Sequence, residues 1–290
     1  MSNERVIVVG VDGSPESLAA VEWAAEDAVR RGCALCLVHA FVWPALYAPV
    51  MVTVPDEPGA KGAAEETVAE AAAGAVAVAP GLEVRTDVQV RPPAAALVAA
   101  SKRARTVVVG NRGLGGFAGL LLGSVGVQLA AHAACPVVIV RRADRQPGHE
   151  AGRVVVGVDG SPEAERAVQF AFEQASYRGT GLTAVHAYQW PATGGPVDVL
   201  PLAYDPDDLR TDERRTLARS MSGWAGKYPG VDIRHTVVHG RAGAVLTELS
   251  AGAQLLVVGS RGRGGFTGLL LGSVSQAAIH HAGCPVAVVR

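Results

Sequence analysis

The chain contains the same long sequence pattern twice, and this duplication constrains its fold more than any other feature. The segment 9–16 (VGVDGSPE) recurs at 156–163, an offset of 147 residues. A later glycine-rich segment recurs at an offset of 149 residues: between 107–141 and 256–290, 22 of 35 aligned positions are identical. A period near 150 residues is far longer than the roughly 20 to 50 residues of a solenoid repeat. The pattern therefore indicates a duplicated domain.

The length and composition fit two globular domains. The 290 residues can supply two separate cores, and 49% hydrophobic with 18% charged residues is typical of a folded, soluble protein. We predict one domain at 1–141 and a second at 153–290. The segment between them, 142–152, is polar, contains Pro and Gly, and is predicted to be a linker.

The charge and hydropathy patterns argue against several partner classes. The net charge is -1 and no Lys/Arg block occurs, which gives no support to a nucleic-acid or anionic-membrane partner. No apolar run approaches the roughly 18 residues of a membrane span. The first 13 residues do not resemble a signal peptide, so a cytoplasmic protein is expected.

Short apolar runs alternate with longer helical patterns in the first copy. The predicted strands are 5–11, 34–40, 82–90, 106–110 and 136–140, and the predicted helices are 15–31, 62–79, 93–102 and 124–133. Ser14, Pro15 and Glu16 are typical of the first turn of a helix. Strands that are apolar almost throughout indicate a parallel sheet covered on both faces. We predict an α/β fold of two homologous doubly wound, Rossmann-like domains, each with a five-stranded parallel sheet.

Two irregular stretches and the cysteines leave alternatives open. Residues 41–61 and 188–207 are rich in Pro and aromatic residues, and they form either a flap over a ligand or a plain surface excursion. Cys33 and Cys36 have the spacing of a redox or metal pair, but alternation along a strand would point them to opposite faces. We therefore expect them, and the Cys-Pro residues Cys135 and Cys284, to be small core residues.

The glycine-rich segment has the composition of an anion-binding turn. Gly110 ends a predicted strand, Gly113 follows, and Gly123-Ser124 opens the next helix. Glycine permits positive φ and close approach of a ligand, while the N–H groups of such turns and of a helix N-terminus favour a phosphate. The second copy has the same residues at Gly259, Gly262, Gly272 and Ser273. The alternative is that these are ordinary turn glycines with Ser124 as a plain N-cap.

This segment differs from the two best-known phosphate motifs. It lacks GxxxxGK[ST], and it is not a GxGxxG sequence after the first strand. The phosphate charge would meet main-chain N–H groups, Ser124 or Ser273, and Arg112 or Arg261, whose planar guanidinium suits that contact.

Two polar residues per copy lie at predicted strand ends, and each has two possible roles. Asp12 and Asp159 could contact a ribose or a metal-bound water, could bond the turn amides that start the helix, or could do both. His39 and His186 are expected to be packed, hydrogen-bonded histidines rather than catalytic ones. No Ser-His-Asp spacing, HExxH or Cys/His cluster is present, so no catalytic residue and no metal ligand is predicted.

Gly-x2-Gly-x9-Gly-Ser after a strand, with an Asp at the end of the first strand, resembles the universal stress proteins of the tandem two-domain type. The resemblance covers both domains and implies ATP, with Mg²⁺ as an optional companion ion, at two sites per chain. By that resemblance the first site comprises Gly10, Asp12, Ala40, Gly110, Asn111, Arg112, Gly113, Leu114, Gly115, Gly116, Gly123, Ser124 and Val125. The second comprises Gly157, Asp159, Ala187, Gly259, Ser260, Arg261, Gly262, Arg263, Gly264, Gly265, Gly272, Ser273, Val274 and Ser275.

Three functions remain open at this point. The first is a nucleotide-dependent regulatory stress protein with, at most, slow hydrolysis. The second is an ATPase or adenylyl-transferring enzyme, for which no catalytic residues are apparent. The third is a nucleotide-independent assembly module. The resemblance also implies a homodimer, or a pseudo-symmetric domain pair, formed through the last strands at 136–140 and 285–290.

Overall fold

The computed structural model describes residues 6–42, 57–114, 123–141, 148, 150–189, 206–263 and 270–290. The chain divides into two compact units, Met1–Arg142 and Ala143–Arg290. Most of the predicted linker, and most of the two irregular stretches, lie outside the described residues.

Strands and helices alternate strictly in both units. The N-terminal unit has the order β1 (Val6–Gly10), α1 (Pro15–Arg31), β2 (Ala34–Phe41), α2 (Glu57–Val78), β3 (Val84–Val90), α3 (Pro93–Ser101), β4 (Thr106–Gly110), α4 (Ser124–His132) and β5 (Val137–Val140). The C-terminal unit has the order β6 (Val154–Gly157), α5 (Pro162–Arg178), β7 (Leu182–Tyr188), α6 (Pro206–Ala225), β8 (Ile233–His239), α7 (Ala242–Leu249), β9 (Leu255–Gly259), α8 (Ser273–His281) and β10 (Val286–Val289).

The strand order within each unit creates a topological switch point. The N-terminal unit has the order β3-β2-β1-β4-β5, and the C-terminal unit the order β10-β9-β6-β7-β8, with parallel pairing of neighbouring strands. The chain leaves β1 towards β2 on one side and returns on the other side as β4. A crevice forms beyond the carboxyl ends of strands where the order reverses in this way. The predicted α/β fold with parallel, Rossmann-like sheets is confirmed.

The central strands are apolar because helices cover both of their faces. In β1 and β4 every residue before the terminal glycine is buried. The edge strand β3 (VRTDVQV) is different, since it has no fully buried residue and four of its seven side chains are polar. The prediction of continuously apolar strands therefore applies to the middle of the sheet and not to its edge.

Helix α1 begins and ends where its sequence predicts. The Ser14 hydroxyl accepts a hydrogen bond from the Ser17 amide at 3.1 Å, and Pro15 occupies the first turn. Gly32 ends the helix in the left-handed conformation at φ 59°. Helix α5 has the same caps, with Ser161 at its start and Gly179 at φ 60° at its end.

Helix α2 starts at Glu57, five residues earlier than the predicted start at 62. Gly59 and Gly62 have low helix propensity, so the local sequence favours a helix only weakly in this first part of α2. The helix is stabilised by packing instead, because Ala64, Val68, Ala71 and Ala75 are buried at intervals of three to four residues.

The four cysteines all lie in the described part of the chain and form no disulfide bond. Cys33 and Cys284 are buried, whereas Cys36 and Cys135 are partly exposed. Burial raises the pKa of Cys135 to about 12, which leaves almost none of it as the reactive thiolate near neutral pH. Among the helices of the described part, none combines the length and apolar character that a membrane crossing requires.

Candidate functional site

A cavity of about 380 Å³ opens at the switch point of the N-terminal unit. Its floor is formed by the ends of β1, β2 and β4, and its far wall by the first turn of α4. Ten of the predicted site residues line it: Gly10, Asp12, Ala40, Gly110, Arg112, Gly113, Leu114, Gly123, Ser124 and Val125.

The C-terminal unit has a corresponding cavity of about 610 Å³ at the ends of β6, β7 and β9. Eleven predicted residues line this second cavity: Gly157, Asp159, Ala187, Gly259, Arg261, Gly262, Arg263, Gly272, Ser273, Val274 and Ser275. Each unit thus brings the predicted glycines, aspartate and helix N-terminus together around one crevice.

Some predicted residues do not line the cavities. Asn111 and Ser260 are buried, at 6% and 2% exposure, and their carbonyl oxygens accept hydrogen bonds from the amides of Gly123 and Gly272. These hydrogen bonds connect the end of β4 or β9 to the start of the following helix. Gly115, Gly116, Gly264 and Gly265 lie outside the described residues.

The apolar wall of each cavity was missed by the sequence analysis. Pro93 and Leu97 of α3 line the first cavity, and Ala242 and Leu246 of α7 line the second. Both pairs occupy equivalent positions, offset by 149 residues. The helix that precedes β4 is short and almost entirely apolar, which is compatible with a ligand-facing wall. A helix that only packs on the core has the same pattern, so the sequence could not distinguish the two.

Gly10 and Gly110 are required for packing rather than for backbone conformation. A Cβ atom on Gly10 would lie 2.7 Å from Cδ1 of Leu97, and one on Gly110 would lie 2.7 Å from the Glu16 carbonyl. Neither residue has a positive φ, and neither do Gly113 and Gly123. The predicted use of positive φ in this motif is therefore wrong at these four positions. At Gly10, Gly110 and Gly113 a Cβ atom would come within 2.7 Å of a neighbouring atom, whereas at Gly123 its nearest neighbour would lie 3.7 Å away.

Asp12 joins the start of α1 to the glycine-rich turn. Its Oδ1 accepts hydrogen bonds from the Ser14 amide at 3.0 Å and the Ser14 hydroxyl at 2.6 Å. Its Oδ2 accepts from the Leu114 amide at 2.9 Å, across 102 residues of chain. A Cβ atom on Gly113 would overlap this same Oδ2, so the contact requires glycine there.

Asp159 makes the same bridge in the second unit. It accepts from the Ser161 amide at 2.9 Å and from the Arg263 amide at 2.9 Å. Of the two roles open in the sequence, turn stabilisation is observed for both aspartates, and it extends to the second turn. A Cβ atom on Gly262 would overlap Oδ2 of Asp159.

The two carboxylates are held in their ionised form. Burial alone would raise the pKa of Asp12, but hydrogen bonds from Ser14, Leu114 and Ser17 outweigh it and hold this pKa below its ordinary value. The pKa of Asp159 is likewise lowered against the effect of burial, by Ser161 and by the amide and charge of Arg263.

These lowered pKa values predict a pH-dependent contribution to stability. Because the folded-state pKa lies below the ordinary value of about 3.9, the contribution is complete above that value and is lost as the pH falls below it. We expect Asp12→Asn with Asp159→Asn to lower the free energy of unfolding by about 1–2 kcal/mol at pH 7. The difference from wild type should shrink between about pH 4 and pH 2. Urea unfolding of both proteins across that range tests this, and a difference independent of pH would contradict it.

The helix N-termini at the cavities differ from the simplest expectation. Gly123 is the N-cap of α4 and Ser124 is the first helical residue, so the alternative of Ser124 as a plain N-cap is wrong. No side chain of the described part caps this helix or α8, which begins in the same way after Gly272. The first N–H groups of a helix have no intrahelical acceptor, so these amides are available to an anion.

His39 and His186 are packed against the turn that precedes α1 or α5. Nδ1 of His39 lies 2.8 Å from the carbonyl oxygen of Val11, and Nδ1 of His186 lies 2.6 Å from that of Val158. Nε2 of His186 also lies 2.9 Å from a carboxylate oxygen of Glu213. These contacts are those expected of hydrogen-bonded, structural histidines.

The comparison with known proteins identifies the family. The sequence model of the Universal stress protein family matches residues 4–141 and 150–290. The chain belongs to the universal stress protein family. It is a tandem member, since each half matches the family separately.

A full-length relative supports this assignment, and solved universal stress proteins are similar to the chain. One from Mycolicibacterium smegmatis is 40% identical over 297 residues, covering 100% of this chain and 98% of the relative. The crystal structure of one from Archaeoglobus fulgidus covers 99% of this chain and 96% of its own, with a TM-score of 0.68 and 21% identity, and so shows the fold. A shorter universal stress protein, solved in complex with cAMP, covers 48% of this chain and 98% of its own at 31% identity, with a TM-score of 0.38.

Proposed function

We propose that this protein is a nucleotide-dependent regulator of the stress response that binds ATP, or a related adenine nucleotide, at two sites per chain. Each cavity would hold one nucleotide. Occupancy would change the conformation or partner choice of the protein, and hydrolysis would be slow at most.

The observation that carries this proposal is that each cavity is lined by both polar groups and apolar side chains. The polar lining of the first cavity includes the first turn of α4 and the turn of Arg112 and Gly113. Its apolar lining includes Leu97, Val38 and Pro93. An adenine nucleotide has both kinds of surface, a multiply charged phosphate chain and a flat, largely apolar base. The cavity volumes fall in the range of about 300–1,000 Å³ typical of small-molecule sites.

The charged residues of the cavities favour a regulator over a dedicated enzyme. Among the described lining residues each cavity has one carboxylate, Asp12 or Asp159. Both oxygens of each already accept hydrogen bonds within the protein. These bonds hold each aspartate between two turns and lower its pKa, which makes it a weak general base for activating water.

The hydrogen bonds to Asp12 and Asp159 also affect how Mg²⁺ could bind. Mg²⁺ is usually held by one or two carboxylates together with substrate phosphates and water. Asp12 and Asp159 are occupied by N–H donors, and no group of three or more metal-ligating side chains occurs in the described ranges. Mg²⁺ would therefore enter with the phosphates of the nucleotide and be bound chiefly by them.

Calorimetry tests the proposal directly. We expect the full-length chain, stripped of bound ligand, to bind ATP with a stoichiometry of two. ADP, AMP and cAMP should be titrated in parallel. An absence of binding heat and of any thermal stabilisation by all four nucleotides would overturn the proposal. A turnover number near 10 s⁻¹, the median for enzymes, would favour the enzymatic alternative instead.

Assembly and location stay predictions. Pairing through the last strands, with a homodimer as the expected form, is tested by light scattering of the purified chain with and without ATP. The cytoplasmic location is tested by cell fractionation.

A further inference from the structure

We propose that the two sites select different nucleotide charge states: the C-terminal site prefers a polyphosphate nucleotide over a monophosphate, and the N-terminal site lacks that preference. The residue that sets the difference is Arg263, whose equivalent in the first site is Leu114. This inference rests on the proposed nucleotide function and assigns the two sites separate roles within it.

The charges around the two cavities differ by one. The described residues lining the first cavity include one carboxylate, Asp12, and one guanidinium, Arg112, which balance. Those lining the second include Asp159 with two guanidiniums, Arg261 and Arg263, for a net single positive charge. An additional phosphate adds negative charge to the ligand, so only the second cavity gains attraction from it.

Arg263 lines the second cavity. Its amide donates to Asp159, and its Nη2 lies 3.1 Å from the carbonyl oxygen of Gly160. This positions the guanidinium over the turn between β6 and α5. It is solvent-exposed, so it can exchange the neutral carbonyl for a phosphate oxygen, to which a guanidinium forms a stronger, charge-assisted bond.

The first site cannot make this exchange. Leu114 is 73% exposed and carries no polar group on its side chain. A Cβ atom on Gly13, the equivalent of Gly160, would instead meet Thr67 of α2. A guanidinium therefore lies over the turn at Gly160, whereas the methyl group of Thr67 lies near the turn at Gly13. The hydrogen bond from the backbone amide of residue 114 or 263 to the aspartate is the same in both units.

A second difference between the sites is a side-chain hydrogen bond at the N-terminus of α8. The Ser275 hydroxyl lies 2.9 Å from the carbonyl oxygens of Ser260 and Gly272, and it is 1% exposed. The equivalent residue in α4 is Gly126, which has no side chain to make this contact. The phosphate-facing amides of α8 are thus held in position before a ligand arrives, which reduces the cost of ordering them on binding.

The test compares ATP and AMP on the full-length chain by calorimetry. In the wild type we expect two classes of ATP site, whose affinities differ by about three- to tenfold, the scale of one exposed ion pair strengthened by hydrogen bonding. Arg263→Leu should weaken the tighter class by that factor and leave AMP binding within about twofold. Leu114→Arg should strengthen the weaker class for ATP and leave AMP unchanged. The difference between the classes should diminish between about 50 and 500 mM salt, because exposed charges are screened.

Arg215→Leu serves as the matched control. It removes one exposed positive charge from the same unit, where Arg215 pairs with Asp212 on α6 and does not line the cavity. Its ATP affinities should equal those of the wild type. Equal weakening of ATP and AMP by Arg263→Leu, or no effect on either, would overturn the inference while leaving nucleotide binding intact. Absence of any nucleotide binding by the wild-type chain would instead overturn the proposed function.

Discussion

Gly113→Ala will weaken ATP binding at the N-terminal site by about 10- to 100-fold, and Gly262→Ala will do the same at the C-terminal site. The new Cβ atom would overlap Oδ2 of Asp12 or Asp159, so the carboxylate must leave the amide of residue 114 or 263. A hydrogen bond to a charged group contributes about 1.5–3 kcal/mol, and each 1.4 kcal/mol changes affinity tenfold. Without that bond the glycine-rich turn loses its fixed position relative to the helix amides.

Each variant should weaken one of the two proposed ATP sites in a calorimetric titration, and the double variant should weaken both. Gly74→Ala is the matched control, since it makes the same chemical change on the exposed face of α2, where a Cβ atom meets nothing within 4 Å. It should leave ATP affinity unchanged and add slightly to stability, because alanine favours a helix. A folded double variant with wild-type affinity would show that this turn does not hold the phosphates.

Arg153→Met will lower the stability of the C-terminal unit by about 2–4 kcal/mol, less than for a fully buried ion pair, because the Asp232 side chain is 73% exposed and stays solvated. Arg153 is 9% exposed, and its Nη1 lies 2.7 Å from a carboxylate oxygen of Asp232. Its remaining nitrogens donate to the Thr183 hydroxyl and to the carbonyl oxygens of Leu182 and Asp232. Removal would also leave the carboxylate of Glu150, 7% exposed and 3.8 Å away, without its cation.

Urea unfolding of the full chain measures this effect. Arg85→Met is the control, because its ion pair with Glu83 is exposed on both sides and should contribute less than about 1 kcal/mol. Arg153→Lys should fall between the two, since an ammonium group cannot reproduce the forked contacts. A loss below about 1 kcal/mol for Arg153→Met would mean that Glu150 and Asp232 find other partners.

The parts of the fold that depend on neighbouring residues were predictable from the sequence. The caps of α1 follow from Ser14, Pro15 and Gly32, which act within a few residues of one another. The apolar centre of the sheet follows from the runs that form β1 and β4, because a strand covered on both faces excludes polar side chains.

The parts that depend on distant residues were not predictable. Gly10 is a glycine because Leu97, 87 positions later, occupies the space of a side chain. The link from Asp12 to the Leu114 amide crosses 102 positions, and the local sequence offered only the nearer partner, Ser14. A single sequence does not indicate which apolar helix packs over which strand end. The apolar wall of each cavity, formed by α3 or α7, could therefore be identified only from the structure.

The long reach of Asp12 and Asp159 also determines when a site can exist. Each bridge closes only after the first and fourth strands of its unit have come together, because the bonded residues are 102 or 104 positions apart. A partly synthesised or partly unfolded unit therefore has the aspartate without the turn, and no binding site. Any ligand of the cavity binds the completed unit alone, and so it stabilises that unit as a whole by mass action. Ligand binding would thereby report that the unit is completely folded.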